Sequence, residues 1–304
     1  MIVNSQKNLK VHFAGLENLD FCKVLVECSK INYTLFTAFP FVSEMLGIKC
    51  MKMKTCTWKS IDYSDKNTKH CIMDSGIYSL CFGSHRELKK DRKLFDKWYE
   101  GLVTLVQESK YSGSVVEVDC QKVLGREVAW EFRERMKRDL PDNRIISVFH
   151  LEDKQDGLDR MIEYSDYIAV SVPELRFNKK KNYVRSIASY IKNKKPSIDI
   201  HLLGCTENKI LKDLNFCSSC DSTSWQQVNR YGSLSFNHGE ETTKCKNRNI
   251  KVDKLLDHYG EQLSEILKSV DIEPTEKRLD YYSKYALAGS VLKKQYEIYA
   301  GDQN

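Results

Sequence analysis

Three aspartates stand where predicted strands end, and they are the residues of this chain most able to do chemistry. Asp74 closes the apolar run Cys71-Ile-Met, Asp119 follows Val115-Val-Glu-Val, and Asp221 follows Phe216-Cys-Ser-Ser-Cys. Burying a carboxylate is costly unless the group is paired or used. In a barrel of parallel strands the carboxyl ends meet on one face, whatever their separation in sequence. The pattern therefore predicts a site built from these three acids.

The chemistry available to such a site is that of carboxylates acting without an obvious metal. The chain has no His-x-x-x-His pair and no Asp-x-Asp pair of the kind that binds magnesium. Paired carboxylates suit glycosidic-bond chemistry, in which one attacks a sugar carbon and another moves the proton. The basic loop Arg230-Tyr-Gly232 suits a sugar–phosphate chain, although the residues alone do not separate carbohydrate from nucleic acid. Each aspartate could instead cap a helix.

The elements that must position these acids alternate between short strands and amphipathic helices. Apolar runs covered on both faces predict eight strands, namely 11–15, 33–39, 70–74, 114–119, 144–150, 167–172, 199–203 and 216–220. Helical periodicity appears at 21–30, 91–109, 125–140, 158–164, 183–194 and 208–214. Eight alternating units predict an α/β fold, a (β/α)8 TIM barrel with a C-terminal helical extension. A doubly wound open sheet is disfavoured because no glycine-rich fingerprint follows the first strand.

We expect the chain to consist of a barrel and a tail that packs on it, which makes one domain overall. Residues 1–236 are the expected catalytic barrel, and residues 237–304 are a polar loop (237–249) and helices at 252–270 and 277–300. A short strand is expected at Gly232–Phe236. The stretch 45–69 is long, polar and basic, and is expected to be a loop excursion or a small insertion.

Composition limits the classes of protein that fit. The 304 residues carry a net charge of +6, from 48 basic and 42 acidic residues, which is a weak signal for nucleic acid. No apolar run approaches the length of a membrane span, and the first residues lack a secretory signal. Eleven irregularly spaced cysteines, several in predicted strands, indicate reduced core thiols. We therefore expect a cytoplasmic protein with no membrane partner.

An ordered set of short motifs resembles the tRNA-guanine transglycosylase superfamily, and most of all its phage and bacterial branch, the DpdA-like 7-deazaguanine DNA transglycosylases. The matching motifs are Asp74-Ser-Gly76, Asp119-Cys120, His201-Leu-Leu-Gly204, and Asp221 followed by Arg230-x-Gly232-x-Leu234. They occur in the family's order over about residues 11–236.

The resemblance implies an exchange of guanine in DNA for a 7-deazaguanine such as preQ0. It makes Asp221 the nucleophile at C1′ of the nucleotide and Asp74 the general acid/base, while Asp119 hydrogen-bonds the base edge. The other residues that it implies for substrate binding are Ser75, Gly76, Gly204, Arg230 and Gly232. The target base must flip out of a duplex or be single-stranded. The enzyme would be a pentosyltransferase, located in the host cytoplasm if encoded by a phage.

Two departures from the family pattern bear on the partner. The Cys-x-Cys-x-x-Cys zinc segment of the tRNA enzymes is missing after Asp221, and the position of a second arginine holds Gln227. Both favour DNA over tRNA and a monomer over the family's dimer. No cofactor is expected; the alternative is a zinc site of Cys217, Cys220, His238 and Cys245, whose spacing is tolerable.

Other functions stay open at this point. A tRNA-guanine transglycosylase and a non-catalytic nucleic-acid-binding barrel share the expected fold. A glycoside hydrolase would need glutamates at strand ends, for which Glu152 and Glu174 are the candidates.

Overall fold

Eight parallel strands close into a barrel in the computed structural model of the chain. The structure describes residues 9–50, 55–83, 88–205, 207–231, 233–238, 241–246, 268 and 281–300. The barrel strands are β1 (Lys10–Ala14), β2 (Tyr33–Thr37), β3 (His70–Asp74), β4 (Ser114–Val116), β5 (Ile145–Phe149), β6 (Tyr167–Ser171), β7 (Asp199–Leu203) and β8 (Ser219–Ser222). Each strand pairs with the next, and β8 pairs with β1 in the register that sets His12 beside Asp221. The predicted TIM barrel is confirmed.

Helices and turns connect the strands on the outside. They are α1 (Leu19–Lys23) with a π-helical turn (Val24–Cys28), α2 (Phe39–Met45), α3 (Trp58–Asn67), α4 (Ile77–Phe82), α5 (Arg92–Glu108), α6 (Gln121–Leu124), α7 (Arg126–Asp139), a 3₁₀ turn (Leu151–Asp153), α8 (Lys154–Tyr164), α9 (Val172–Phe177), α10 (Tyr183–Lys194), α11 (Asn208–Asp213), a 3₁₀ turn (Ser224–Gln226), α12 (Gln227–Tyr231) and α13 (Tyr281–Ala300). A two-stranded antiparallel sheet, β9 (Ser233–His238) with β10 (Glu241–Lys246), follows α12.

The apolar core lies in two places, as the alternation of side chains along a strand requires. Outward-facing strand residues pack against the helices in two large clusters. Inward-facing residues fill the barrel, with Ile72, Ile146 and Val148 among the apolar ones. The interior also holds buried histidines, His12 and His201. The barrel is therefore packed rather than hollow, and only its ends can take a ligand.

The C-terminal helix α13 covers the wall of the barrel beside β1. The small residues of α13 let it approach the barrel closely. The close approach is seen in the hydrogen bond that Ser29 Oγ donates to the carbonyl of Ala286, at 2.8 Å. The rings of Trp225 and Tyr285 lie 4.9 Å apart, and the ring of Tyr296 lies 5.9 Å from that of Phe13. Within the described ranges, no helix has both the length and the apolar character needed to cross a bilayer.

Several element boundaries differ from the prediction; β4, for example, ends at Val116 rather than at Asp119. The stretch 45–69 contains the helix α3, which its polar sequence hid because only its buried side, including Ile61, is apolar. Strand β8 begins at Ser219 rather than Phe216, so Asp221 lies inside the strand. The loop predicted at 237–249 contains β10, which gains its order by pairing with β9. The helix predicted at 252–270 lies outside the described residues, apart from Lys268.

Candidate active site at the barrel mouth

The carboxyl ends of the strands bring acidic side chains to one mouth of the barrel. Asp74 is the last residue of β3, Asp221 is in β8, and Asp119 lies just after β4. Asp74 is close enough to Asp221 for the two charges to interact. The Asp119 side chain is 27% exposed and that of Asp221 is 15% exposed, so both are only partly open to solvent.

The surroundings of Asp74 at the mouth change the pKa of its carboxyl. Burial raises the pKa of its carboxyl to about 6, and the negative charges of Asp221 and Glu17 act in the same direction. Hydrogen bonds from Thr37 and from the Gly76 N–H, at 3.2 Å, oppose this shift without cancelling it. A carboxyl that titrates near neutrality can both take and give a proton, which is the property of a general acid/base.

Asp221 is held by the neighbouring strand. The Gly204 N–H donates to Asp221 Oδ1 at 2.6 Å, and Nε2 of the fully buried His201 lies 3.4 Å from the same oxygen. Gly204 has φ +58, and an added Cβ would lie 2.8 Å from the ring of Pro173. A glycine is therefore required for the chain to turn its amide toward the carboxylate.

A network of alternating charges occupies the β4–β6 side of the mouth. His150, the residue after β5, bonds Asp119 through Nε2 at 2.7 Å and Glu174 through Nδ1 at 2.8 Å. Lys122 Nζ donates to Glu174 at 2.9 Å and also to Glu152. Burial alone would lower the pKa of His150, but the Asp119 and Glu174 carboxylates outweigh burial and raise it to about 10. The imidazole is therefore a cation that fixes Asp119.

The donor set of His150, Glu152 and Glu174 could hold a metal ion, since one ligand atom from each lies within 4.8 Å of the others. In the observed arrangement the protein supplies the cations itself. Both nitrogens of His150 are bonded to carboxylates, and the Lys122 ammonium bonds Glu152 and Glu174. A metal ion would have to displace Lys122 and deprotonate His150, so these residues do not fit a metal as they stand.

The four residues whose spacing suggested a zinc site lie in different environments. Cys217 and Cys220 are fully buried in an apolar cluster, where burial raises the pKa of each thiol far above its usual range. Such thiols stay protonated and pack as apolar residues. The backbones of His238 and Cys245 lie in β9 and β10, while their side chains lie outside the described residues.

The small residues after β3 shape the backbone. Ser75 is buried, and its hydroxyl donates to the Glu117 carbonyl at 2.7 Å, so it faces the β4 segment rather than the open mouth. Gly76 has φ +80 and begins α4, and an added Cβ would lie 2.7 Å from the Phe39 backbone nitrogen.

A cavity of about 290 Å³ adjoins the mouth beside β1 and β8. Its lining includes Gly15, Glu17, Gln226, Arg230 and the aromatic residues Phe21 and Tyr285. Arg230 belongs to α12 and is exposed. Its partner in the sequence motif, Gly232, lies outside the described residues. The volume is at the lower end of the range for small-molecule sites, about 300 Å³ and upward.

Sequence reasoning missed the basic partners of the acids. His150 comes directly after β5, so the strand-end rule that selected the aspartates could have selected it. Glu117 was also passed over, although it bonds Arg133 at 2.6 Å and the Val148 N–H at 3.0 Å in full burial. His201 gave no signal, because a lone histidine in an apolar strand is ordinarily a core residue.

Comparison with known proteins gives the class of fold and no more. No family model and no curated protein matches the chain. Among solved structures, the YdjI aldolase from Escherichia coli K12 matches with a TM-score of 0.51 and 10% identity, over 98% of this chain and 93% of that one. A 2,3-dimethylmalate lyase matches with a TM-score of 0.42 and 10% identity, over 97% and 95% of the two chains. The aldolase QR15 matches with a TM-score of 0.43 and 9% identity, over 73% and 92%.

These matches correct the functional prediction. The YdjI aldolase, whose TM-score is above 0.5, is a barrel with a different activity, so the predicted guanine transglycosylase, with its pentosyltransferase chemistry and its partners DNA and preQ0, is wrong. The tRNA-acting and the non-catalytic nucleic-acid alternatives lose their support with it. The motifs misled because they are short, and because any barrel with acids at β3, β4 and β8 reproduces their order.

Proposed function

We propose that the chain is a lyase-type enzyme that breaks or forms a carbon–carbon bond in a small anionic substrate, with Asp74 as its general acid/base. The observation that carries the proposal is the position and environment of Asp74. Its carboxyl lies at the open end of the barrel with a pKa of about 6, beside a second carboxylate, Asp221, that is fixed by a backbone amide. Acids whose environments separate their protonation states are typical of acid/base sites.

The proposed reaction is a proton transfer coupled to bond cleavage. Asp74 takes the proton of a substrate hydroxyl while the neighbouring carbon–carbon bond breaks, so the carbon that carried the hydroxyl becomes a carbonyl. The electron pair of the broken bond passes to the substrate's other carbonyl and forms an enolate. The same proton then returns to the enolate fragment. Asp221 and Asp119 accept hydrogen bonds from substrate hydroxyls, since Gly204 and His150 respectively hold them in place. The aldolase among the matching barrels favours this reaction class.

The cavity beside the mouth supports a small substrate with an anionic group. Arg230 contributes a cation to its lining, and Phe21 and Tyr285 contribute aromatic faces. We propose that Arg230 pairs with a carboxylate or phosphate of the substrate, because a guanidinium matches either group in a two-pronged geometry.

The proposed compartment is the cytoplasm. The described cysteines form no disulfide with one another, and several of them are buried. A reducing compartment keeps thiols in that state. We propose that the reaction uses no metal at the His150 cluster, because Lys122 already neutralises its carboxylates.

The test is a screen of small β-hydroxy ketones that carry a carboxylate or a phosphate, followed by proton NMR for cleavage products. We expect wild-type turnover and a loss of about 10²–10⁴-fold in Asp74→Asn. The wild-type kcat/KM should rise with pH through about 6 and then level, because the base must be ionised. Asp142→Asn is the matched control, since Asp142 is an exposed aspartate in the turn before β5, at the opposite end of the barrel.

Full activity in Asp74→Asn would remove Asp74 from the reaction. Failure of the wild type on the whole panel, with binding of none of its members, would overturn the proposed substrate class. A loss in Arg230→Met that appears in KM and leaves kcat unchanged would support the proposed anion contact.

A further inference from the structure

A chain of polar groups runs through the barrel interior and ends at Asp221. Tyr167 on β6 and Ser219 on β8 bring their hydroxyl oxygens to 2.5 Å, and Ser219 Oγ lies 2.6 Å from Nδ1 of His201 on β7. His201 Nε2 lies 3.4 Å from Asp221 Oδ1. Tyr167, Ser219 and His201 are all buried, at 3%, 1% and 0% exposure. A buried polar chain of this kind needs a reason, because leaving its members unsatisfied is costly.

The hydrogen bonds of this chain have a direction. Burial raises the pKa of the Tyr167 phenol, so its hydroxyl keeps the proton and is able to donate it to Ser219. Ser219 then donates its own proton to Nδ1 of His201, which leaves the imidazole proton on Nε2. The opposite order would turn a bare nitrogen lone pair toward the Asp221 carboxylate. Each bond thus points toward Asp221.

A second chain lies beside the first and ends differently. His12 Nδ1 donates to the Cys220 carbonyl at 3.3 Å, and His12 Nε2 accepts from His70 Nδ1 at 2.9 Å. His70 Nε2 accepts from the hydroxyl of Ser114 at 3.0 Å. Burial lowers the pKa of His70 to about 4 and that of His12 well below its usual value. These two histidines are therefore neutral: the His12 proton points to the Cys220 carbonyl and the His70 proton points to His12, so neither points to Asp221.

His201 is thus the interior group that presents an N–H to Asp221 from below. The buried Nε2 makes no hydrogen bond of good geometry to another described residue, and Asp221 Oδ1 is the acceptor within reach. The charge of Asp221 acts on Asp74 of β3 across the mouth, and together with burial it raises the pKa of the Cys205 and Cys220 thiols, which lie in the apolar cluster.

We propose that His201 is a positioning residue for Asp221: an imidazole, locked as its Nε2–H tautomer by Ser219 and Tyr167, that holds the carboxylate toward the Gly204 amide and the open mouth. The part that Asp221 plays in catalysis rests on the proposed function. The geometry of the His201–Asp221 contact does not, so the two can fail separately.

The first test reads the tautomer in the wild-type protein. Long-range ¹⁵N–¹H NMR of histidine-labelled protein distinguishes a protonated ring nitrogen from a bare one. We expect the His201 ring, assigned by its disappearance in His201→Gln, to carry its proton on Nε2 and to have a bare Nδ1 that accepts a hydrogen bond. The Nδ1–H tautomer, or a proton on both nitrogens, would overturn the proposal.

The second test reads the carboxylate through the Gly204 amide. In His201→Leu, Asp221 loses its lower support, and we expect the Gly204 amide to exchange about tenfold faster with solvent deuterium, since a hydrogen bond to a charged acceptor is among the stronger ones. His201→Gln can accept from Ser219 and donate to Asp221, so it should restore slow exchange. His12→Gln is the control, because its N–H serves the Cys220 carbonyl, and it should leave the Gly204 amide unchanged.

Equal exchange at Gly204 in the wild type and His201→Leu would overturn the positioning role. Equally fast exchange in His201→Leu and His201→Gln would also overturn it, because the effect would then follow from repacking. Should His201→Leu fail to fold, Ser219→Ala serves in its place. It removes the group that fixes the tautomer, so the His201 proton should no longer be confined to Nε2 and the Gly204 amide should exchange faster. An unchanged tautomer together with unchanged Gly204 exchange would overturn the proposal.

Discussion

Asp74 combines a raised pKa with a position at the open end of the barrel, and this combination has a cost in stability. Its folded-state pKa of about 6 lies above the ordinary value of 3.8, so folding favours the protonated form. The contribution of this group to stability is therefore present at low pH and is lost as the pH rises through about 6. Functional carboxylates typically lower the stability of the fold in this way.

The prediction is that Asp74→Asn stabilises the protein at neutral pH. Asparagine cannot ionise, so it avoids the cost of a buried charge. We expect the substitution to raise the free energy of unfolding more near neutral pH than near pH 4. The difference between the two gains should be at most about 2 kcal/mol. Urea unfolding of both proteins at the two pH values measures it. A gain that is the same at both would show that Asp74 titrates as it does in water.

The ion pair between Glu117 and Arg133 gives a second prediction at this scale. Both side chains are buried, at 2% and 1% exposure, and Arg133 also stacks 4.2 Å from the Trp130 ring. Arg133→Met leaves Glu117 charged and unpaired, which should cost about 3–5 kcal/mol in denaturant unfolding. Arg138→Met, which breaks the exposed pair with Asp139, is the control and should cost less than about 1 kcal/mol. Equal losses would mean that Glu117 does not need its partner.

At the scale of elements, two glycines separate backbone strain from steric contact. Gly76 and Gly125 both have positive φ, +80 and +86. An added Cβ at Gly76 meets the Phe39 backbone at 2.7 Å, whereas at Gly125 nothing lies within 4 Å. Because Phe39 is itself buried at the start of α2, it cannot move aside cheaply.

We predict that Gly125→Ala costs about 1–3 kcal/mol, from backbone strain alone, because φ +86 with ψ 168 is a conformation that essentially only glycine adopts. Gly76→Ala should cost about 1–3 kcal/mol more, from overpacking against α2. Unfolding midpoints of the two variants give the difference directly. Indistinguishable losses would indicate that the turn after β3 relaxes, and that it does not hold Asp74 rigidly.

The same scale shows what the sequence could and could not predict. The eight strands were predictable because each is a short apolar run, and their order predicted that Asp74, Asp119 and Asp221 share one mouth. Helix α3 was not, because most of its surface is polar and its apolar side is narrow. The His150 network joins α6, the turn after β5 and α9, so it is set by strand pairing and not by any local pattern. The direction of the His201 bonds depends on three different strands and has no sequence signature.

At the scale of the whole molecule, we propose that residues 1–236 and 237–304 unfold as one cooperative unit. Leu287 of α13 is fully buried in the cluster that also contains β1 and β7 residues. Leu287→Ala should cost about 2–5 kcal/mol, whereas Lys294→Ala, an exposed position of the same helix, should change stability by about 0.5 kcal/mol or less. Near-ultraviolet circular dichroism and tryptophan fluorescence should report one coincident transition. Two separated transitions would show that the tail folds by itself.

The central claim, that the mouth prepares Asp74 for proton transfer, is tested most directly by titrating its carboxyl carbon. Protein labelled with ¹³C-aspartate is followed by NMR from low to neutral pH, and the Asp74 resonance is assigned by its absence in Asp74→Asn. The structure predicts a midpoint near pH 6. A midpoint near 4, the ordinary value for an aspartate, would contradict the account.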